Sequence, residues 1–197
     1  MMAATHSDTL ARLFTEARSQ NGWRSDPVEE GDLRDAYDLA RWAPTSMNGQ
    51  PMRLIFLRSA EAKARLQPAL LPGNVEKAMN APVLAIIAYD TDFHVHLPNM
   101  FPHNPGAQAL FEANQALREE TAFRNGTLQA AYFMLALRAS GFDVGPISGF
   151  NAAAIDKEFF DGTTCRTNFL CGIGQGDPSK VFDRLPRFSY DVVAQTL

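Results

Sequence analysis

Only two of the 197 residues are cysteines. A chain of this length buries about 70% of its unfolded surface without covalent staples. Cys165 and Cys171 therefore imply no disulfide framework and suit a reducing compartment. An excess of positive charge is also missing. Eighteen Lys and Arg stand against 22 Asp and Glu, a formal charge of −4, so no basic face is offered to nucleic acid or to an anionic membrane. The longest strongly apolar run, APVLAIIAY, is far too short to span a bilayer. The opening MMAATHSDTL lacks a basic region followed by an apolar one, so it does not read as a secretory signal. There are no internal repeats and no low-complexity linker. What remains is 46% apolar and 20% charged, ordinary for a globular protein. The expectation is a single domain over residues 1–197, cytoplasmic and soluble.

Recognisable catalytic signatures are scarce too. GIGQG at 172–176 lacks G-x-G-x-x-G spacing, and the DPSK after it is no helix of a βαβ unit; it reads as a flexible strand end. No phosphate loop of the Walker type occurs. Ser46 and Ser148 stand outside any G-x-S-x-G elbow. Cys171 lies in an apolar run and reads as a small core residue. His94, His96 and His103 would put two rings on one face of a strand, but zinc needs further ligands and prolines surround them. They read as substrate contacts or plain surface, with no metal site expected.

The hydrophobic pattern supplies the elements. Ser7 is placed to cap a helix carrying Leu10, Leu13, Phe14 and Ala17, which ends near Arg18 and Ser19. A second helix runs from about Glu29–Asp32 to Trp42, stopped by Pro44. A strand covers Arg53 to Leu57, and Ser59 opens a helix that Pro68 bends or ends. Asn74 to Met79 makes one or two helical turns. Val83 to Tyr89, apolar without alternation, reads as a strand buried on both faces. Residues 91–110, with three prolines and three histidines, read as a long surface excursion, a candidate active-site lid. Helical spacing resumes from Phe111 to Ser140, most strongly at Leu128, Ala131, Tyr132, Leu135 and Ala139, with Gly141 as the cap. A short extended piece leads to PISGF, Asn151 caps a helix ending near Phe160, and Asn168 to Ile173 is another strand. Strands and helices do not alternate regularly, which predicts an α+β fold with a small central mixed or antiparallel sheet wrapped by helices.

Against this background the connection WAPTSMNGQP at 42–51 is too well equipped for a loop. It brings two hydroxyls, two side-chain amides and a glycine between two prolines, as a polar planar ligand would need. Two basic clusters, Arg18 with Ser19 and Arg184 with Arg187, lie at opposite ends of the chain and would converge on a phosphate through charge-assisted hydrogen bonds. Taken singly, each is ordinarily a solvated charge.

Several segments together resemble the nitroreductase family of FMN-dependent homodimeric oxidoreductases. ARSQNGW is similar to that family's phosphate-binding segment R-R-S-x-R, and APTSMNGQP to its loop A-P-S-x-x-N-x-Q-P. NVEK is similar to a flavin-touching Asn and Lys three apart, GPISGF to the turn P-I-E-G-F, and RLPR to a basic C-terminal clasp. The resemblance covers nearly the whole chain. It implies an intertwined homodimer with FMN at the subunit interface. Pro44, Thr45, Ser46, Asn48 and Gln50 would approach the flavin. Arg18, Ser19, Asn21, Arg184 and Arg187 would hold its phosphate. Asn74 and Lys77 would address the ring, and the backbone of Ser148 and Gly149 would face N5, with no side chain singled out as catalytic. NAD(P)H would deliver hydride, and a second substrate would then take it in a ping-pong cycle. Two departures stand out: Ala17 and Asn21 replace basic residues of the phosphate segment, and Ser148 replaces an acidic one.

Within the family, FTEARSQNGWR, ETAFRN, GPISGF and RLPR resemble the branch that reduces 3-oxopropanoate (malonic semialdehyde) to 3-hydroxypropanoate in pyrimidine degradation. An aldehyde acid calls for a cation at its carboxylate, and Arg124 is the candidate. Two rival readings keep the same cofactor: a broad nitroaromatic or quinone reductase, and a flavin-binding or storage protein without efficient turnover.

Overall fold

A computed structural model describes residues 8–197; Ser7, expected as the first cap, lies outside them. The sheet forms where the apolar runs are longest. Four strands, β1 (Met52–Leu57), β2 (Val83–Asp90), β3 (Asp143–Ile147) and β4 (Cys165–Gly174), lie in the order β1-β2-β4-β3. Every neighbouring pair is antiparallel, with Ile55 opposite Ile86, Ile86 opposite Leu170 and Gly145 opposite Gly172. The expected mixed or antiparallel sheet is thus purely antiparallel. The short extended piece before PISGF is a full edge strand.

Helices cover both faces, which explains why β2 shows no alternation. Ala85 and Ile87 face one core with Leu33 and Ala36 of α1 (Glu30–Ala40). Leu84, Ile86 and Ala88 face the other, with Leu66 of α2 (Ala60–Leu66) and Ala78 of α3 (Pro72–Met79). The Ser59 hydroxyl accepts from the Ala62 N–H at 3.0 Å, and α2 gives way at Gln67–Ala69 to a 3₁₀ turn containing Pro68.

The structure adds helical detail in two places. The stretch 91–110, expected as a long surface excursion, carries short helical turns. It folds into a 3₁₀ turn (Phe93–His96), a helical turn (Leu97–Met100) and the start of α4 (Ala107–Glu112), around buried Phe93, Leu97, Ala107 and Phe111. Short helical pieces separated by prolines never complete a period, so the pattern is invisible to a sliding window. The expected 111–140 helix breaks after α4. It restarts as α5 (Gln115–Ala139), where the Asn114 side chain accepts from the Leu117 N–H at 3.0 Å. The face of α5 with the strongest helical spacing is largely the outer one. Leu128 and Tyr132 are 45% and 43% exposed, whereas Ala130, Phe133 and Leu137 are buried in the core. The helix is apolar on more than one side, and spacing alone does not say which side the sheet takes. Gly141, at φ 99°, ends it as expected.

α6 (Ala152–Phe159), capped by Asn151, covers the second face, and the tail beyond residue 181 is largely exposed, including its one helical turn at Tyr190–Val193. Among the described residues no helix is long and apolar enough to cross a membrane.

Candidate functional site

The glycines of GIGQG do hold a partner close, but it is protein. Residues 19–24 run along the free edge of β3 and past the end of β4. Ser19 bridges Val144 in parallel, Gln20 N–H donates to the Val144 carbonyl at 3.1 Å, and Arg24 N–H to the Gln175 carbonyl at 2.8 Å. A Cβ on Gly172 would stand 2.5 Å from the Trp23 ring, one on Gly145 2.5 Å from the Gln20 oxygen, and one on Gly176 2.2 Å from Gln20 Cδ. Only hydrogen at these positions leaves room for the strap. Trp23 in turn donates its indole N–H to the Lys77 carbonyl at 2.8 Å, satisfying one of the end groups of α3.

This strap delivers Arg18, Ser19 and Asn21 to a cavity of about 600 Å³ that also takes in Arg184 and Arg187 from the tail. The two ends of the chain meet there. Arg18 donates to the Phe182 carbonyl across 164 positions, and Arg184 donates to the Thr15 carbonyl. Arg138, near the end of α5, lines the same cavity. In the sequence it looks like a basic residue complementing a helix C-terminus, and nothing there tied it to the others. A second cavity of about 420 Å³ adjoins, sharing Asn21 and Phe182 and lined further by Lys77 and Lys180. Arg24 is turned elsewhere, paired with Asp26 at 3.0 Å.

Asn74 and Lys77 lie one turn apart on α3, as their spacing required. Asn74 Nδ2 donates to the Gly149 carbonyl at 2.9 Å, and Leu71 N–H donates to the same oxygen at 3.0 Å. A Cβ on Gly149 would fall 2.2 Å from Asn74 Nδ2. The PISGF turn is thereby stitched to the start of α3, with Ser148 exposed beside it. Lys77, Asn74 and the 148–149 backbone therefore form one assembly on the same side of the sheet as the strap.

The 44–50 loop is the strained part. Met47, Asn48 and Gln50 all take positive φ, at 51°, 51° and 43°, a region L-residues enter only at a cost. What holds it is a set of polar ties. Ser46 N–H donates to Asn125 Oδ1 at 2.8 Å, and Asn125 Nδ2 donates to the Thr121 carbonyl at 2.8 Å. Asn48 Nδ2 donates to the Met100 carbonyl at 2.8 Å, and Gln50 Nε2 to Asn48 Oδ1 at 2.9 Å. Gly49 packs against Phe93, where a Cβ would come within 2.8 Å of the ring. The 91–110 segment is thus a buttress of this loop. Gly49 and Gln50 line a separate cavity of about 270 Å³ with Arg53, His96 and Gln129. In one chain, the loop and the basic ends line different cavities.

The remaining candidates fall outside this assembly. Arg124 is exposed on α5 and ion-paired with Glu120. His94 and His96 share a 3₁₀ turn rather than a strand, and among the described residues no group of His, Cys, Asp and Glu is arranged to hold a metal. Burial pushes the Cys171 thiol up to about 12, consistent with an inert core residue. Beneath the 91–110 segment, burial tends to raise the Asp90 carboxyl. Hydrogen bonds from Thr164 and the Asp92 N–H, with Arg53 at 2.7 Å, outweigh it and hold the group below its usual range. His94 is pushed down by burial and by Arg118, and its Nδ1 finds no partner among the described residues.

With this geometry, the nitroreductase family model matches residues 15–174, from just before the strap to the end of β4. The chain belongs to the nitroreductase family. It is 53% identical over 191 residues to a protein of Cupriavidus pinatubonensis provisionally named NADH dehydrogenase/NAD(P)H nitroreductase, covering 96% of this chain and 97% of that one. It is 55% identical over 192 residues, with the same coverage, to HadB of Ralstonia pickettii, which carries the same provisional name. The crystal structure of an Exiguobacterium sibiricum nitroreductase in complex with FMN superposes with a TM-score of 0.85 at 19% identity, covering 95% of this chain and 97% of that one.

Proposed function

We propose that this single-domain chain is an FMN-dependent NAD(P)H oxidoreductase working as a homodimer. The observation that carries the reading is the meeting of Arg18, Ser19, Asn21, Arg184 and Arg187 at one cavity, next to the cavity of Lys77. The donor set fits FMN. Guanidinium groups and a hydroxyl suit a phosphate dianion, while an ammonium and amide groups suit the polar edge of a flat heterocycle. Bound FMN would supply the hydride chemistry, taking reducing equivalents from NAD(P)H and passing them to an oxidised substrate. The chain's part is positioning. Arg18, Ser19, Arg184 and Arg187 hold the phosphate, Lys77 places positive charge at the ring edge, and Asn74 fixes the backbone of Ser148 and Gly149.

A second copy supplies what one chain lacks. Gly49 and Gln50 of the loop line a different cavity from the basic ends, so the loop, with Pro44, Thr45, Ser46, Asn48 and Gln50, would serve the partner's cofactor. Trp42, just before the loop, is 77% exposed, and Phe182 and Phe188 in the tail are 76% and 80% exposed. With the outer stripe of α5 they form apolar surface that calls for cover. Sedimentation should report a dimer; a monomer retaining FMN would break the shared site.

The finer substrate reading, carried by the segment resemblance, is 3-oxopropanoate. Arg124 is its carboxylate partner, since an exposed i,i+4 pair such as Arg124 with Glu120 is weak enough to exchange. Nitroaromatics or quinones are the second reading, favoured by the names of the two relatives above 50% identity. The deciding experiment is an anaerobic spectrum of the FMN-loaded protein with NAD(P)H, then with 3-oxopropanoate or a nitroaromatic. Bleaching is expected, followed by recovery with the true substrate. No bleaching would leave a flavin carrier rather than an enzyme. Lys77→Ala and Arg18→Ala should lower flavin retention or reduction rate; full retention and turnover in both would reject the site.

A further inference from the structure

We infer that Arg138 is a phosphate-binding residue, supplying from α5 the cation that the N-terminal segment lacks at Ala17 and Asn21. This rests on the FMN reading above.

The strap alone brings one guanidinium, Arg18, to the 600 Å³ cavity, where Ala17 and Asn21 are uncharged. Arg138 lines the same cavity from α5, one turn before Gly141 ends the helix. Its position there is fixed from both sides. Its backbone carbonyl accepts from Arg12 Nε at 2.6 Å, and its own Nη1 donates to the Leu13 carbonyl at 3.4 Å. Among the described residues that single long bond is the only hydrogen bond of its side chain, which carries five N–H donors.

Among the described residues Arg138 forms no ion pair. The Asp143 carboxylate acts on it electrostatically, but one of that carboxylate's oxygens accepts the Gly176 N–H at 3.0 Å. Asp183 also lines the cavity, as an exposed residue of the tail that forms no ion pair with Arg138. The Cys171 thiol, also nearby, stays neutral because burial raises it to about 12. Arg138 itself is partly buried, and desolvation works against its charge. A partly buried cation with unspent donors, lining a cavity with three other arginines against one aspartate, Asp183, is arranged for an anion. A phosphate monoester carrying close to two negative charges fits.

The test separates phosphate recognition from helix stability and from the flavin reading. Flavin-stripped protein is titrated with FMN and with riboflavin, which has no phosphate, in the unaltered chain and in Arg138→Met, Arg138→Lys and Arg18→Met. For Arg138→Met the FMN Kd should rise by about tenfold to a hundredfold, the range for a lost charge-assisted bond. Its riboflavin Kd should stay within about twofold, and Arg138→Lys should recover part of the loss, because a lysine keeps the charge but not the fork. An unchanged FMN Kd in Arg138→Met, with a loss in Arg18→Met, would overturn the inference and leave the cofactor site standing. Equal losses for FMN and riboflavin would also overturn it, marking Arg138 as a helix-end residue only. If the unaltered protein binds neither flavin, the cofactor reading falls and this inference with it.

Discussion

The indole N–H of Trp23 and the carbonyl of Lys77 are 2.8 Å apart, joining residues 54 positions distant. The strap that brings Arg18 to the cavity is therefore fastened to the helix that presents Lys77. Trp23→Phe keeps most of the ring but loses the donor, at a cost of about 1 kcal/mol. Trp23→Ala also empties the space over Gly172 and should cost about 3–5 kcal/mol. Melting of the flavin-free protein measures both. If Trp23→Ala melts like the parent, the strap is not anchored there.

Asn125 reaches from α5 into the strained loop, accepting from the Ser46 N–H at 2.8 Å. Asn125→Leu removes the acceptor of the Ser46 N–H, and an orphaned donor costs about 1–3 kcal/mol. Faster hydrogen exchange over residues 45–50 and weaker FMN retention are expected. Asn125→Asp, which keeps an acceptor, should retain more of both. Unaltered exchange in Asn125→Leu would show that the Phe93 and Met100 contacts suffice.

Two glycine substitutions should act in opposite directions. Gly149→Ala places a methyl 2.2 Å from Asn74 Nδ2; it should break the Asn74 bond and lower flavin-dependent turnover at least tenfold, about 1.4 kcal/mol of transition-state stabilisation. Gly31→Ala meets nothing within 4 Å on α1, so it should stabilise by about 0.5–1 kcal/mol and leave turnover intact. Steady-state rates beside melting curves would expose a failure of either.

Acid should weaken the fold in two stages. His94 is held below its ordinary value by burial and Arg118, so the unfolded chain takes a proton that the native chain refuses. Stability then falls as pH drops through about 6.5 towards the lower native value. Asp90, held below its ordinary range, contributes stability above that range and loses it as pH falls through its native value. His94→Gln should flatten the upper stage and Asp90→Asn the lower. A melting temperature of the parent that does not change between about pH 7 and 5 would rule out the His94 stage.

What the sequence revealed depended on how far apart the responsible residues lie. Strands β1, β2 and β4 were readable because each apolar run is continuous and local. The loop at 42–51 was readable because its donors are packed into ten residues. Gly172 and Gly176 were not, because what needs them is the strap, Trp23 and Gln20, about 150 positions earlier. Asn125 and Arg138 hid inside a good helical pattern, where a polar residue reads as solvent-facing. The strongest helical spacing on α5 marks its outer stripe, because the helix is apolar on more than one side. The meeting of the two basic ends was anticipated only as a possibility of charge, and the fold turned it into a place.

That meeting has a consequence for biosynthesis. Arg18 leaves the ribosome well before Arg184, yet they wall the same cavity. At about 5–20 residues per second, the nascent chain carries half a clasp for roughly 10–30 seconds. The sheet and both helical layers do not need the tail, but the cavity stays open on one side until it emerges. Cofactor loading would then be the closing event of maturation, and a chain truncated before residue 184 should form the sheet yet fail to retain FMN.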